Sequence, residues 1–219
     1  LRSNLKTPYN SPTEFREGFI SAINLRLRSD VPVGVCLSGG LDSSSIVSVL
    51  LKEFKIADIN TFSAIYNKGQ FGDESEYINE YKPLVKNMYF TTPTADSLYN
   101  DIQGFVKAHG EPIPSTSPYA QYKVMELAAK NVVVTLDGQG ADEMLAGYHY
   151  FFGFYFKELL TSMKFLLFLK ETKAYLNNHK SLFGLKTLSY FLLPAPLKKT
   201  SRVAEKGYLE GDFIKKYMQ

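Results

Sequence analysis

Two short glycine turns, each closing an apolar run and each followed by an aspartate, carry the residues of this 219-residue chain best suited to chemistry. The first lies in Val35-Cys36-Leu37-Ser38-Gly39-Gly40-Leu41-Asp42-Ser43-Ser44-Ser45. Backbone N–H groups on a glycine turn at a helix N-terminus attract an anion through their orientation and the helix dipole. A lysine-bearing phosphate loop would place Lys-Ser or Lys-Thr after its second glycine, whereas Leu41, Asp42 and three serines follow here. The second turn is Leu136-Asp137-Gly138-Gln139-Gly140-Ala141-Asp142-Glu143. At the ends of separate strands in a parallel sheet, the carboxylates of Asp42 and Asp142 could converge. Two hard oxygen ligands facing a phosphate cradle suit Mg²⁺, which keeps several waters and draws other ligands from the nucleotide. Each aspartate taken singly also fits a helix N-cap or first turn.

The elements that must position these turns follow from hydrophobic periodicity and punctuation. Ser11-Pro12 followed by Phe15, Phe19, Ile20 and Ile23 predicts a capped amphipathic helix ending near Ser29-Asp30. A strand follows over about 33–37, and the Gly39-Gly40 turn launches a helix carrying Ile46, Val49 and Leu50. A second strand fits 61–66, a helix 73–85, and a third strand Met88-Tyr89-Phe90. Thr94 caps a helix running to Ala108, and the segment Gly110 to Pro118, which holds three prolines, reads as a structured loop. A helix over about 119–130 precedes the apolar run Val132 to Leu136. Strands rich in β-branched residues alternating with helices predict an α/β fold, a parallel twisted sheet with helices on both faces. Ligands of such sheets sit outside the carboxyl ends of the strands, where both glycine turns lie. The expected organisation is a nucleotide-binding unit over 1–150 and a mainly helical, aromatic C-terminal segment over 151–219, interrupted by Pro194-Ala195-Pro196.

Composition narrows the class. With 45% apolar and 21% charged residues the chain reads as globular, and its net charge of +3, without a dense basic patch, names no nucleic-acid partner. The pairs Arg26, Arg28 and Lys198, Lys199 read as solvated surface. The run 151–169 carries Lys157, Glu158 and Lys164, which argues for an aromatic-rich buried or interface helix rather than a membrane span. One cysteine makes no internal disulfide, so a cytoplasmic setting is expected, with Cys36 a small buried hydrophobe in a strand. His109, His149 and His179 lack metal-ligand spacing in the sequence. An opening of Leu-Arg-Ser suggests a piece of something longer.

Ser38-Gly39-Gly40-Leu41-Asp42-Ser43-Ser44 resembles the pyrophosphate loop (PP-loop) of the N-type ATP pyrophosphatases, whose fold is that of the adenine nucleotide alpha hydrolases. Within that group, Asp30-Val31-Pro32-Val33-Gly34, Glu111-Pro112, and Asp137 to Glu143 with Gly147-Tyr148 resemble the synthetase domain of glutamine-dependent asparagine synthetases, over about residues 12–150. The resemblance implies a loop that holds the β- and γ-phosphates of ATP, which leave as pyrophosphate when a substrate carboxylate attacks the α-phosphate. Backbone N–H groups, hydroxyls and Mg²⁺ serve such a leaving group without a lysine. By position, Ser38, Gly39, Gly40, Ser43 and Ser44 would cradle the phosphates, and Asp42 with Asp142 would hold magnesium. Cys36 and Ala64 match positions that meet adenine largely through backbone, and Gly138 lies against the nucleotide. The implied reaction forms an acyl-adenylate, with aspartate as the foremost acid, and ammonia drawn from glutamine then displaces AMP. The implied partners are a small carboxylate substrate and a glutaminase domain, with a homodimer as one assembly open to it, and neither nucleic acid nor membrane.

Three departures qualify that implication. Asparagine synthetases typically have Ser-Gly-Glu-Gly where Asp137-Gly138-Gln139-Gly140 stands, and Gln139, the third candidate catalytic residue, hydrogen-bonds but cannot act as a base. The glutaminase domain uses an N-terminal cysteine, and none fits here. The family's later catalytic lysine has no counterpart after residue 150, where Lys157, Lys164 and Lys170 read as helix-surface residues. The expectation is therefore a chain that binds Mg-ATP and by itself performs poorly in synthesis. The rivals are a related ligase acting on a different acid or amine, and a non-catalytic nucleotide-binding module.

Overall fold

The computed structural model describes residues 9–66, 73–111, 113 and 115–194. Pro112 and Pro114 of the proline loop, Ala195-Pro196 and the Lys198-Lys199 pair lie outside the described residues. The chain forms two compact units, Leu1–Gln139 and Gly140–Gln219.

The first unit contains α1 (Pro12–Arg26), β1 (Val33–Cys36), α2 (Leu41–Lys52), β2 (Asn60–Ala64), α3 (Ser75–Asn79), β3 (Asn87–Thr91), α4 (Ala95–His109), α5 (Ser117–Ala128) and β4 (Val134–Leu136). Among the described residues its four strands are all parallel, in the order β3-β2-β1-β4. Helix α1 starts where Ser11 accepts the Glu14 N–H, and α4 starts at a capping box between Thr94 and Ser97.

Alternation along β1 splits the core into two layers. Val35 and the following Leu37 join Ile23 of α1 and Ile46, Val47 and Leu50 of α2 on one face. Cys36 joins Phe62 of β2 and Val124 and Ala128 of α5 on the other. Helices therefore cover both faces, as the strand composition requires. Gly34 is needed where it stands, because a Cβ there would meet the Phe62 ring at 2.5 Å.

Several elements are shorter than their patterns predict. The helix expected over 73–85 is α-helical only from Ser75 to Asn79. Glu80, Tyr81 and Lys82 then bond back three residues rather than four. Pro83, lacking an N–H and restricting Lys82 before it, accounts for the tightening. The apolar run Val132 to Leu136 contributes only Val134–Leu136 as strand, while Val132 is a core residue and Val133 is 76% exposed. Pro118 sits in the first turn of α5, not in the loop.

The second unit contains α6 (Ala141–Leu145), α7 (Tyr150–Thr161), α8 (Phe165–His179) and α9 (Phe183–Leu192). The apolar run 151–169 is thus two helices, interrupted at Met163 with φ 56°. Phe156, Tyr175 and Leu188, one from each long helix, form its core with Phe152 and Phe168 packed around them. Folding also brings together two histidines that sequence spacing keeps apart: the rings of His149 and His179 meet edge to face at 5.1 Å. Among the described residues, no helix is long and apolar enough to cross a membrane.

Candidate active site

The glycine turn after β1 is anchored before it begins. The Leu37 N–H donates to the Phe62 carbonyl at 2.9 Å, and the Leu37 carbonyl accepts from the Ser63 hydroxyl at 2.6 Å. Ser63 is fully buried, so its hydroxyl satisfies a carbonyl that water does not reach. We predict that Ser63→Ala lowers stability by about 1–3 kcal/mol in urea unfolding, the cost of an orphaned buried acceptor.

Beyond Leu37, Gly39 adopts φ +92°, and a Cβ there would meet the Glu74 carbonyl oxygen at 3.0 Å. Both its conformation and its surroundings call for glycine. The Ser38 N–H donates to Ser43 Oγ at 3.1 Å, the two hydroxyls lie 2.9 Å apart, and the Gly40 N–H donates to Ser38 Oγ at 3.2 Å. The Ser43 hydroxyl also donates to the Gly40 carbonyl. Ser38 and Ser43 thus brace the turn with their side chains, and Ser43 is buried.

Gly40 caps α2 without any side-chain bond. The first-turn N–H groups of Leu41, Asp42 and Ser43 therefore have no intrahelical partner and point out of a twelve-residue helix. Asp42, second in that helix, complements its dipole in addition to any role toward a ligand.

The turn after β4 lies beside this helix start. A Cβ on Gly138 would stand 3.1 Å from Asp42 Cβ and 3.1 Å from the Ser43 nitrogen. The structure thus brings Gly138, Asp42 and Ser43 together, which 96-residue spacing in the chain alone leaves open. Cys36 and Ala64 occupy the carboxyl ends of β1 and β2, and Gln139, exposed, ends the first unit. Ser44 accepts at its carbonyl from the Tyr81 hydroxyl at 3.2 Å.

Two further residues reach this region without a motif to mark them. Glu74 lies with a carboxylate oxygen 3.9 Å from where a Gly40 Cβ would be, and partial burial pushes its carboxyl up. Gln121 of α5 donates to Asp137 Oδ2 at 3.1 Å. Burial foremost, and then the negative charge of Asp137, push the Cys36 thiol up to about 12. The folded state therefore holds its proton beyond the ordinary 9.0, so any stability tied to this thiol is complete below pH 9.0 and drains away as pH climbs towards about 12. At pH 8, native protein is expected to react with a thiol-disulfide reagent far more slowly than urea-unfolded protein, because only the thiolate attacks.

In the second unit, Asp142 and Glu143 lie in the first turn of α6. Glu143 accepts from the Tyr148 hydroxyl at 2.8 Å, and that hydrogen bond foremost raises the tyrosine's affinity for its proton. The chain folds back so closely that a Cβ on Gly147 would strike the Asp142 carboxylate. Asp42 belongs to the first unit and Asp142 to the second.

A model of the asparagine synthase family matches residues 14–209. A Methanocaldococcus jannaschii protein provisionally named as glutamine-hydrolyzing asparagine synthetase 2 is 38% identical over 131 residues, 58% of this chain and 24% of that protein. Asparagine synthetase [glutamine-hydrolyzing] 1 of Bacillus subtilis is 34% identical over 136 residues, 62% of this chain and 21% of its own length. Among solved structures, a glutamine-dependent NAD+ synthetase from Acinetobacter baumannii in complex with ADP aligns with a TM-score of 0.46 and 17% identity, over 66% of this chain and 29% of that one. The matched part of this chain thus spans about a quarter of the length of these curated relatives. With the family model covering both glycine turns and the helices around them, the chain belongs to the asparagine synthase family.

Proposed function

We propose that this chain is the nucleotide-binding part of an ATP-dependent, asparagine-synthetase-like amide ligase. The observation that carries the proposal is the uncapped start of α2 at the switch point of the sheet. Chain order runs outward from β1 to β2 to β3, and β4 lies on the other side of β1. The crevice between the carboxyl ends of β1 and β4, where the Ser38–Gly40 and Asp137–Gln139 turns lie, is where such sheets bind ligands.

In this reading the free first-turn N–H groups of α2, beside the Gly39-Gly40 turn, receive the β- and γ-phosphates, braced by Ser38 and Ser43, with Ser44 following. Cys36 and Ala64 meet adenine through their backbones, and Gly138 lets the nucleotide approach. Asp42 and Asp142 would hold Mg²⁺. The donors here are hard oxygens. That suits an ion taking its remaining ligands from phosphate and water. Bound Mg²⁺ would supply charge neutralisation of the departing pyrophosphate. A substrate carboxylate, with aspartate the first candidate, attacks the α-phosphorus and pyrophosphate leaves. Ammonia, delivered from a glutaminase domain, attacks the acyl-adenylate carbonyl and AMP leaves. The chain's contribution is in-line positioning of the phosphates. The lone buried thiol suits a cytoplasmic setting.

Gln139 favours a second reading, in which the same adenylation serves a different acid or amine, because a glutamine does not replace a carboxylate base. Pyrophosphate release from ATP, measured on the full-length protein across a panel of acids, tests both. Release specific to aspartate supports the first reading, and release with another acid but not aspartate supports the second. No release with any acid, from protein that binds Mg-ATP, would overturn both.

A further inference from the structure

We infer that Gly147 is the positioning residue for the Asp142 carboxylate, an inference that rests on the proposed role of Asp142 toward Mg²⁺. The five-residue helix α6 ends at Ala146, whose φ of 57° turns the chain back on itself. The Asp142 carbonyl then accepts from the N–H of Ala146 and from that of Gly147, the latter at 2.9 Å. This pair of hydrogen bonds to one carbonyl lays Gly147 directly against Asp142. A Cβ on Gly147 would collide with Asp142 Oδ1 and lie 2.8 Å from Cγ and 3.1 Å from Cα.

Conformation is not what requires glycine here. Among the described residues the positive-φ glycines are Gly39, Gly110 and Gly140, and Gly147 is not one of them. Any residue could adopt its backbone, so the space taken by the carboxylate is the reason for glycine. Nor is the following chain free to swing aside. Tyr148 donates to Glu143 at 2.8 Å and stacks on Tyr150 with ring centroids 5.5 Å apart. Gly147 thus forms a floor on which the carboxylate rests, with Glu143 held separately by Tyr148. A methyl group at Gly147 would turn the Asp142 carboxylate to another rotamer while leaving its charge in place.

The test is calorimetric titration of ATP, in chelator and in Mg²⁺, into the wild-type protein, Gly147→Ala, Asp142→Asn and the double variant. Gly147→Ala is expected to lose about 10- to 100-fold of the Mg²⁺-dependent gain in affinity, the range for residues that orient a metal ligand. Its affinity for metal-free ATP and its thermal unfolding should match wild type, and Asp142→Asn on top of it should cost nothing more. A Gly147→Ala protein that keeps the full Mg²⁺ response would overturn the inference, as would one that loses metal-free and Mg²⁺-supported binding in equal proportion. If Asp142→Asn itself kept the response, the metal reading would fail first and this inference with it. Should Gly147→Ala not fold, Asp142→Ala in the same chain must restore folding, since it removes the atoms the methyl strikes. Failure to restore it would equally overturn the inference.

Discussion

An Asp42→Asn protein is expected to bind ATP with almost no response to Mg²⁺, a loss of at least about 100-fold, above the range for residues that merely orient a ligand. The substitution keeps the shape of the side chain beside Gly138 and removes only its charge. Its structural cost is small, about 0.3–1 kcal/mol from the lost interaction between a first-turn carboxylate and the dipole of α2. The two nucleotide titrations should therefore move in opposite directions. Without metal, a carboxylate beside an anion cradle repels phosphate, so metal-free ATP should bind no worse and modestly better than to wild type. With Mg²⁺, the proposed role makes the same carboxylate a ligand, and its loss should then dominate. A variant in which both affinities fell together would point to a damaged loop, and one in which neither changed would remove Asp42 from the site.

Phe62→Ala is expected to destabilise the first unit by about 3–5 kcal/mol, read from urea unfolding. Against a net stability of about 5–15 kcal/mol for a typical domain, that is enough to populate the unfolded state at the lower end of the range. Phe62 is fully buried, stacks on Tyr89 at 5.3 Å and packs with Val124 and Ala128 of α5. It also fills the space that Gly34 vacates. Gly34→Ala in wild type should be costly for the same reason, and in a Phe62→Ala background it should cost much less, because the ring it would strike is gone. Additive costs would show that the glycine serves the backbone rather than the ring. The same residue matters to the site, since the Phe62 carbonyl holds the Leu37 N–H just before the glycine turn.

Glu74 shows why the site was only partly legible in the sequence. Ser38-Gly39-Gly40 and Asp42 announce themselves because a glycine turn at a strand end followed by a helix is a local arrangement, readable within eleven residues. Glu74 lies more than thirty residues along the chain, at what reads with Asp73 as a helix start; the family resemblance brings that loop towards the nucleotide, but no periodicity points Glu74 at Gly40. Ser63 and Gln121 were equally silent. A serine within a strand reads as a weak strand former, and only the fold places its hydroxyl under the Leu37 carbonyl.

The sequence by itself determined the alternation of strands and helices, the helix starts at Ser11 and Thr94, and the glycine turns with their aspartates. Each depends on hydrogen bonds and side-chain periodicity within one or two turns of chain, and neighbours along the chain set those. Element ends were less legible: Pro83 cuts α3 short, and a left-handed residue at Met163 splits what reads as one apolar run. Only the tertiary structure decided that β4 pairs with β1, that Gly138 therefore rests on Asp42 and Ser43, and that Gly34 makes way for Phe62. It also decided that His149 meets His179. These outcomes depend on which apolar faces find one another across dozens of residues, and burial, being non-directional, leaves no local mark of its partner in the chain.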